Sequence, residues 1–124
     1  MQHIATEKAP AAIGPYTQAI ATAGLVFVSG QLPADPTTSE LVDGGIAAQT
    51  AQAAANVAAV LEAANTNLSN VVKTTCFLAD LGDFAEFNAE YAKHFTGNPA
   101  RECVQAAALP KGALVEISAI AETL

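Results

Sequence analysis

Arg101 is the single arginine in a chain of 124 residues that carries 12 acidic and five basic residues, for a formal net charge of −7. Such a surface repels anions at long range, so an anionic ligand needs a local cation that is shielded from water. A planar guanidinium fits both oxygens of a carboxylate. Arg101 lies at a predicted loop-to-strand junction in the segment Pro99–Gln105. The position fits either a carboxylate-binding residue or a surface ion pair, and a lone arginine is more often the latter.

Glu116 is the second candidate for chemistry, because it interrupts the apolar strand predicted over Leu114–Ser118. A carboxylate at such a position either faces water or is partly buried. Partial burial would raise its pKa and suit the group to general acid or base work near neutrality. The strand pattern alone slightly favours the solvent-facing alternative.

A hairpin between the last two predicted strands would bring these groups toward one face. Arg101 and Cys103 share one face of their strand because side chains alternate along a strand. A four-residue turn at Pro110–Ala113 would pair Ala107 with Glu116 and place Glu116 on that same face. Four residues, or roughly 13 Å, would still separate Ala107 from Cys103. Either the loop is longer than this, or the site needs residues from elsewhere.

Other chemistries have little support in the sequence. His3, near an N-terminus expected to fray, and His94 are the only histidines, and neither has metal-binding spacing. Cys76 and Cys103 are expected to be free, reduced thiols, since two cysteines imply neither a disulfide framework nor a closed zinc site. Gly44–Gly45 lacks the lysine of a phosphate-binding loop. With so few basic residues we expect no nucleic-acid surface, and we expect no metal.

Neither a signal peptide nor a membrane span is predicted. The N-terminus lacks the basic and apolar regions of a secretory signal. The two longest uncharged stretches, Ala9–Ala34 and Gly44–Leu61, contain Pro, Gly, Thr, Gln or Asn in place of a run of about 20 strongly apolar residues. We therefore expect a cytoplasmic protein with no membrane partner.

The elements that must position these residues follow from periodicity and turn chemistry. The predicted strands are a hairpin of Tyr16–Thr22 with Leu25–Ser29, a buried strand Val71–Leu78, and a final hairpin of Glu102–Leu109 with Leu114–Ala121. The predicted helices are Gly45–Ala64 and a segment from the N-cap Asp83 to Phe95. Strands at both ends and two helices covering one face of a mixed sheet indicate an α+β fold, and the length indicates one domain, residues 1–124.

Three side-chain patterns refine the helices. Asp83 and Glu86 have the spacing of a capping box. An aromatic stripe is expected to pack in the core rather than hold a cofactor; it consists of Phe84, Phe87, Tyr91 and Phe95. The polar face of the first helix carries amides and is expected to face solvent, with contact to another polar surface as the alternative; it consists of Gln49, Gln52 and Asn56.

Alanine accounts for 29 residues, and there is no tryptophan. Burying an alanine side chain contributes little transfer energy, and a domain of this size buries only about two thirds of the surface that its unfolded chain exposes. The composition thus favours a protein that gains stability from a partner subunit.

Seven segments that run nearly end to end match the blocks of one known family. They are Ala9–Tyr16, Val28–Pro33, Val72–Phe77, Asp80–Asn88, Pro99–Val104, Ala108–Gly112 and Val115–Ala121. Together they resemble the reactive intermediate deaminase family, RidA/YjgF.

The resemblance implies a chorismate-mutase-like α+β fold and a homotrimer with ligand clefts between subunits. It implies hydrolysis of 2-imino acids and their enamine tautomers, such as 2-aminoacrylate, 2-iminopropanoate and 2-iminobutanoate, to 2-keto acids and ammonia, with no metal or organic cofactor. The alternative is a non-catalytic trimer of the same fold that binds small carboxylates or regulates a partner. RNA cleavage, attributed to some relatives, fits poorly with the net charge of −7.

The resemblance also assigns roles to individual residues. Arg101 matches the residue that grips the substrate carboxylate, and Glu116 the one that orders or activates the hydrolytic water. Cys103 matches a position whose backbone contacts substrate. The expected pocket lining consists of Tyr16, Ser29, Gly30 and Asn88. Asn98 stands where an aromatic residue often precedes Pro-Ala-Arg, in a shorter connection, so this chain departs from the family at a loop that bears on substrate range.

Overall fold

The computed structural model describes residues 1–124. Apolar side chains that alternate along its strands pack one mixed sheet against two helices. The strands are β1 (Gln2–Ile4), β2 (Ala19–Thr22), β3 (Leu25–Gln31), β4 (Val71–Leu78), β5 (Ala100–Gln105) and β6 (Val115–Glu122). The helices are α1 (Gly45–Ala63) and α2 (Phe84–His94). The strand order is β1-β2-β3-β6-β4-β5, and only β4 and β5 run parallel. The predicted α+β class is confirmed, as are the β2–β3 hairpin, both helices and β4.

The core lies between the two helices and one face of the sheet. The residues of β6 that face the helices are buried; they are Val115, Ile117, Ala119 and Ala121. They meet a buried stripe of α1 that includes Ala53, Val57, Val60 and Leu61. The alternate residues of β6 point to the other face of the sheet, which no helix covers, and they remain partly exposed; they are Glu116, Ser118 and Ile120.

The predicted C-terminal hairpin is wrong. β5 pairs in parallel with β4, so that Arg101 lies opposite Thr74 and Cys103 lies opposite Cys76. β6 lies on the other side of β4, between β4 and β3. Pro110–Gly112 forms a short 3₁₀ turn, not a hairpin turn. The burial patterns explain the difference: β6 buries every second side chain and suits the centre of the sheet, whereas β5 has no buried residue and suits an edge.

The amide face of α1 is not solvated as expected, because it meets the loop after β3 and the start of β6. Asn56 Nδ2 donates to the Ala34 carbonyl at 2.9 Å, and Gln52 Nε2 donates to Asn56 Oδ1 at 2.9 Å. Gln49 Oε1 accepts from the Leu114 backbone N–H at 2.8 Å. Buried amides of this kind satisfy loop backbone groups that water cannot reach. The helix therefore fixes the C-terminal end of β3 and the N-terminal end of β6.

The predicted capping box at the start of α2 is also wrong. The Asp83 side chain makes no capping hydrogen bond. A 3₁₀ turn over Leu81–Asp83 precedes the helix, and Asp80 caps that turn by accepting from the Gly82 N–H at 2.8 Å. Asp83 consequently has φ −87° and ψ 3°, not the extended backbone that an N-cap side chain needs. Three residues of the aromatic stripe pack in the core as expected, Phe87, Tyr91 and Phe95, whereas Phe84 at the start of α2 is exposed.

The two histidines lie outside the core. His3 belongs to β1 and pairs with Ile20, so the N-terminus is held in the sheet and is not frayed as expected. His94 is partly buried, and its Nε2 lies 2.7 Å from Glu90 Oε2. No group of three or more His, Cys, Asp or Glu is placed to hold a metal ion. Neither helix has the length and hydropathy of a membrane span.

Candidate active site

Arg101 lies on the edge strand β5 with its guanidinium against α2. Its Nη1 donates to Asn88 Oδ1 at 2.7 Å. The guanidinium carbon lies 4.9 Å from the ring centre of Tyr91, 5.5 Å from that of Phe84 and 5.9 Å from that of Phe87. Such contacts stabilise a cation by about 0.5–2 kcal/mol each and limit its movement. The aromatic face of α2 thus holds the charged group in one orientation.

No carboxylate pairs with this guanidinium. The ion pairs within the chain join Lys73 to Glu102, and Lys93 and His94 to Glu90. Among 12 acidic residues none neutralises Arg101. One of its five N–H donors is used by Asn88, and the others have no partner in the chain. The surface ion pair considered from sequence is therefore absent, and the group is free to bind an external anion.

Tyr91 packs against the Arg101 guanidinium and is itself held in place by two contacts. Its hydroxyl lies 2.7 Å from Thr74 Oγ1 in a buried hydrogen bond. Its ring stacks on Phe95 with 4.5 Å between ring centres. Burial raises the pKa of the Tyr91 phenol, so the ring stays neutral at physiological pH. The spacing of the aromatic residues predicts only a core position for Tyr91 and does not predict its contact with Arg101.

The two cysteines lie side by side on β4 and β5, and both are free thiols, as expected. Burial raises the pKa of Cys76 to about 12. Burial also raises the pKa of Cys103, an effect that nearby Arg101 partly opposes. Both thiols are therefore protonated near neutral pH, and neither is an activated nucleophile.

Glu116 points to the face of the sheet that no helix covers. It lies opposite Phe77 of β4, in the alternate set to the buried residues of β6. The side chain is half-buried and makes no hydrogen bond within the chain, and burial raises the pKa of its carboxyl group. It packs against Gly30 so closely that a Cβ at that position would lie 2.6 Å from Glu116 Oε2. Gly30 is thus required as glycine for this approach.

Tyr16 and Ser29 lie near Gly30, the residue against which Glu116 packs. Ser29 Oγ donates to the Thr17 carbonyl at 2.6 Å, which joins β3 to the N-terminal loop. Tyr16, 55% exposed, and Gly30 line the same cavity of about 310 Å³. The loop is held by Gln18, whose buried amide donates to the Pro10 carbonyl at 2.7 Å. Tyr16 and Ser29 are thus connected to Glu116 only through Gly30, which the Glu116 side chain contacts.

The seven predicted site residues thus form two groups. The arginine half-site consists of Asn88, Arg101 and Cys103. The glutamate half-site consists of Tyr16, Ser29, Gly30 and Glu116. They lie on opposite faces of the sheet, because Arg101 contacts α2 and Glu116 points away from both helices. The predicted placement of Glu116 on the face of Arg101 and Cys103 is wrong, because it depended on a hairpin that does not form.

Comparison with known proteins agrees with this architecture. The family model described as Endoribonuclease L-PSP matches residues 6–123. The chain is 50% identical over 119 residues to the 2-iminobutanoate/2-iminopropanoate deaminase of Rattus norvegicus, covering 95% of this chain and 87% of the rat protein. The YjgF gene product of E. coli has a crystal structure that is similar at a TM-score of 0.93 and 46% identity, covering 98% of each chain. The crystal structure of E. coli TdcF with bound serine is similar at a TM-score of 0.94 and 39% identity, covering 100% of both chains.

The family model spans nearly the whole chain, and the identity to the rat protein extends over almost the same residues. Apart from β1, the strands, the helices and both half-sites described above fall within residues 6–123. The chain therefore belongs to the RidA/YjgF family, which the Endoribonuclease L-PSP model describes.

Proposed function

We propose that this protein hydrolyses 2-imino acids and their 2-enamine tautomers to 2-keto acids and ammonia, in the cytoplasm and with no metal or organic cofactor. The observation that carries the proposal is Arg101, an oriented guanidinium with no acidic partner in a strongly acidic chain. The family relationship adds the chemistry, since the rat relative is named as a deaminase of 2-iminobutanoate and 2-iminopropanoate. The serine bound in the TdcF structure is an amino acid of similar size to these imino acids.

The proposed mechanism divides the work between the half-sites. Arg101 binds the substrate carboxylate through two N–H groups and orients C2 of the iminium. As the oxygen of a water molecule attacks C2, Glu116 accepts a proton from that water. The product of the attack is a tetrahedral carbinolamine. Proton transfer to the nitrogen, loss of the hydroxyl proton and cleavage of the C–N bond release ammonia and leave the 2-keto acid. A protonated imine is electrophilic, so positioning supplies much of the acceleration.

Opposite sheet faces keep Arg101 and Glu116 of one chain apart, so we propose that the active site forms between subunits of a homotrimer. The sheet face without helices exposes apolar side chains that suit such contacts, including Phe27, 42% exposed, and the partly exposed Ile120. In a closed ring with one repeated interface, the arginine half-site of each subunit meets the glutamate half-site of the next. The whole chain, residues 1–124, acts as one such domain.

RNA cleavage, which the family description names, has less support in this chain. The charge of −7 opposes a polyanion, and no cluster of lysine and arginine surrounds Arg101. Both cysteines and Tyr91 are held neutral, as described above. A small monoanion, held by one shielded cation, fits this electrostatic setting better than a nucleic acid does.

The proposed function is tested with 2-aminoacrylate as the substrate, which a serine dehydratase generates in situ. The wild-type protein is expected to release ammonia well above the buffer rate. Glu116→Gln is expected to lower kcat/KM by about a hundredfold or more, because a general base contributes typically 10²–10⁴-fold. The same variant should bind a 2-keto acid as tightly as wild type, since Arg101 is intact. If wild type binds keto acids but never exceeds the buffer rate, the non-catalytic carboxylate-binding alternative is correct.

The pH dependence of kcat/KM provides an internal control for the Glu116→Gln variant. Glu116 acts in its deprotonated form, so kcat/KM should fall as pH drops through its pKa. Burial raises this pKa above the usual value of 4.5, so the fall should begin at a higher pH than an exposed glutamate would give. The residual activity of Glu116→Gln should lack this acidic limb. An unchanged limb in the variant would assign the titration to another group.

Gly30→Ala is expected to reduce activity with little change in thermal stability. The three atoms nearest to the added Cβ all belong to the Glu116 side chain, with Oε2 at 2.6 Å and Cδ at 2.9 Å, and that side chain can rotate away. Displacing a catalytic group by about 1 Å lowers the rate by about a hundredfold. Steady-state kinetics and thermal unfolding measure the two effects. In a Glu116→Gln background Gly30→Ala should add almost no further loss, and full additivity would contradict the contact.

A further inference from the structure

Thr74 of β4 lies directly opposite Arg101 of β5, on the face of the sheet that α2 covers. Thr74 is fully buried, and its hydroxyl oxygen lies 2.7 Å from the hydroxyl oxygen of Tyr91. The Tyr91 ring in turn lies against Arg101, with 4.9 Å between the ring centre and the guanidinium carbon. The three residues therefore form a closed set, joined by strand pairing, a buried hydrogen bond and a cation–π contact.

Two hydrogen bonds tie α2 to the strands that carry this set. Asn88 Oδ1 accepts from Arg101 Nη1 at 2.7 Å, which joins the helix to β5. The hydrogen bond between Thr74 and Tyr91 joins the helix to β4. Asn88 and Tyr91 are three residues apart, so they lie on the same face of the helix. Loss of the second bond leaves the helix free to shift relative to β4, and the Tyr91 ring shifts with it.

Aromatic packing alone does not fix where the Tyr91 ring lies over the guanidinium. The ring stacks on Phe95 with an interplanar angle of 21°, and its centre lies 5.5 Å from that of Phe87. Aromatic pairs are stable over a range of offsets and centre separations, so such contacts tolerate sliding. A buried hydroxyl is more demanding, because a polar group left unpaired away from water costs free energy. Thr74 thus supplies the directional contact of this aromatic cluster.

We propose that Thr74 is a positioning residue for the substrate carboxylate, because its hydrogen bond to Tyr91 holds the ring that orients Arg101. The inference rests on the proposed function, in which Arg101 binds that carboxylate. A guanidinium that tilts on its support presents one N–H group to the carboxylate in place of two, so the bidentate geometry is lost while the charge remains. The substrate and the 2-keto acid product should then both bind less tightly. The change should fall mainly on KM, since the carboxylate contact is made in the ground state and in the transition state alike.

Thr74→Val removes the hydroxyl and keeps the branched shape of the side chain. We expect kcat/KM for 2-aminoacrylate to fall about tenfold, mainly through a higher KM, and the Kd of pyruvate to rise by a similar factor in calorimetry, as for the loss of one hydrogen bond to a charged group. Thr74→Ser retains the hydroxyl and should stay within about twofold of wild type. Thr50→Val is the matched control, because Thr50 is equally buried but its hydroxyl has no hydrogen-bond partner. It should leave both constants unchanged.

Tyr91→Phe tests the same hydrogen bond from its other end, because it keeps the ring and removes only the hydroxyl. It should match Thr74→Val within about twofold, and the variant that combines the two should be no weaker than either alone. In an Arg101→Ala background Thr74→Val should add almost no further loss, whereas a general defect in folding would add its full effect.

Wild-type constants in both Thr74→Val and Tyr91→Phe, or full additivity of Thr74→Val with Arg101→Ala, would overturn the positioning role alone. If thermal unfolding shows that Thr74→Val does not fold, Tyr91→Phe decides the question in its place. Absence of both pyruvate binding and imine hydrolysis in the wild-type protein would overturn the proposed function itself.

Discussion

Arg101→Ala is expected to lower kcat/KM for 2-aminoacrylate hydrolysis by about a thousandfold. The variant loses two charge-assisted hydrogen bonds to the substrate carboxylate, at about 2 kcal/mol each, and 1.36 kcal/mol corresponds to a factor of ten. The loss is large because the structure offers no other cation at this position: the remaining basic groups nearest on α2 are paired with Glu90. Coupled ammonia-release kinetics measure the effect.

Two further variants separate charge from geometry. Arg101→Lys retains the charge but cannot donate two parallel hydrogen bonds, so it should recover only part of the loss. Lys93→Ala makes the same change in net charge from an exposed position on α2, and it should stay within about twofold of wild type because exposed ion pairs contribute little. Turnover of Arg101→Ala at the wild-type rate would contradict the assignment of this residue to the substrate carboxylate.

Local sequence patterns predicted most elements of this fold, and the failure that changes the site concerns pairing over distance. The β2–β3 hairpin could be predicted because two short strands flank the Ala23–Gly24 turn. The last two strands also flank a turn, at Pro110–Gly112, yet they separate to positions on either side of β4. Sequential strands are neighbours in space only about two thirds of the time. β6 pairs with a neighbouring strand on each of its two edges, which places it in the centre of the sheet. No local sequence pattern indicates this pairing.

That single pairing error changes the interpretation of the site. In a hairpin, Glu116 would share a face with Arg101, although roughly 13 Å would still separate Cys103 from Ala107, the residue opposite Glu116. With β6 in the centre of the sheet, Glu116 lies on the opposite face and packs against Gly30. The resemblance supplied the identity of these residues and implied a cleft between subunits, and the sheet order places Arg101 and Glu116 on different faces. The aromatic support of Arg101 by Tyr91 was missed because a buried helical stripe has the same pattern whether or not a cation lies on it.

Mixing two inactive variants is expected to restore activity, because each retains the half-site that the other lacks. Arg101→Ala subunits carry an intact Glu116, and Glu116→Gln subunits carry an intact Arg101. When equal amounts assemble at random into rings with one repeated interface, about a quarter of the interfaces combine both intact residues. Co-refolded mixtures should therefore regain about a quarter of wild-type activity, and native mass spectrometry should detect mixed trimers.

The double variant Arg101→Ala/Glu116→Gln makes this test decisive. Mixed with either single variant it supplies no missing residue, so no activity should return. Mixed equally with wild type it should leave about a quarter of the sites complete if each site spans two subunits, but about half if each site lies within one chain. Retention of half the activity, or failure of the two single variants to complement each other in mixed trimers, would contradict the inter-subunit site. The separation of Arg101 and Glu116 by the sheet is the physical reason to expect a quarter.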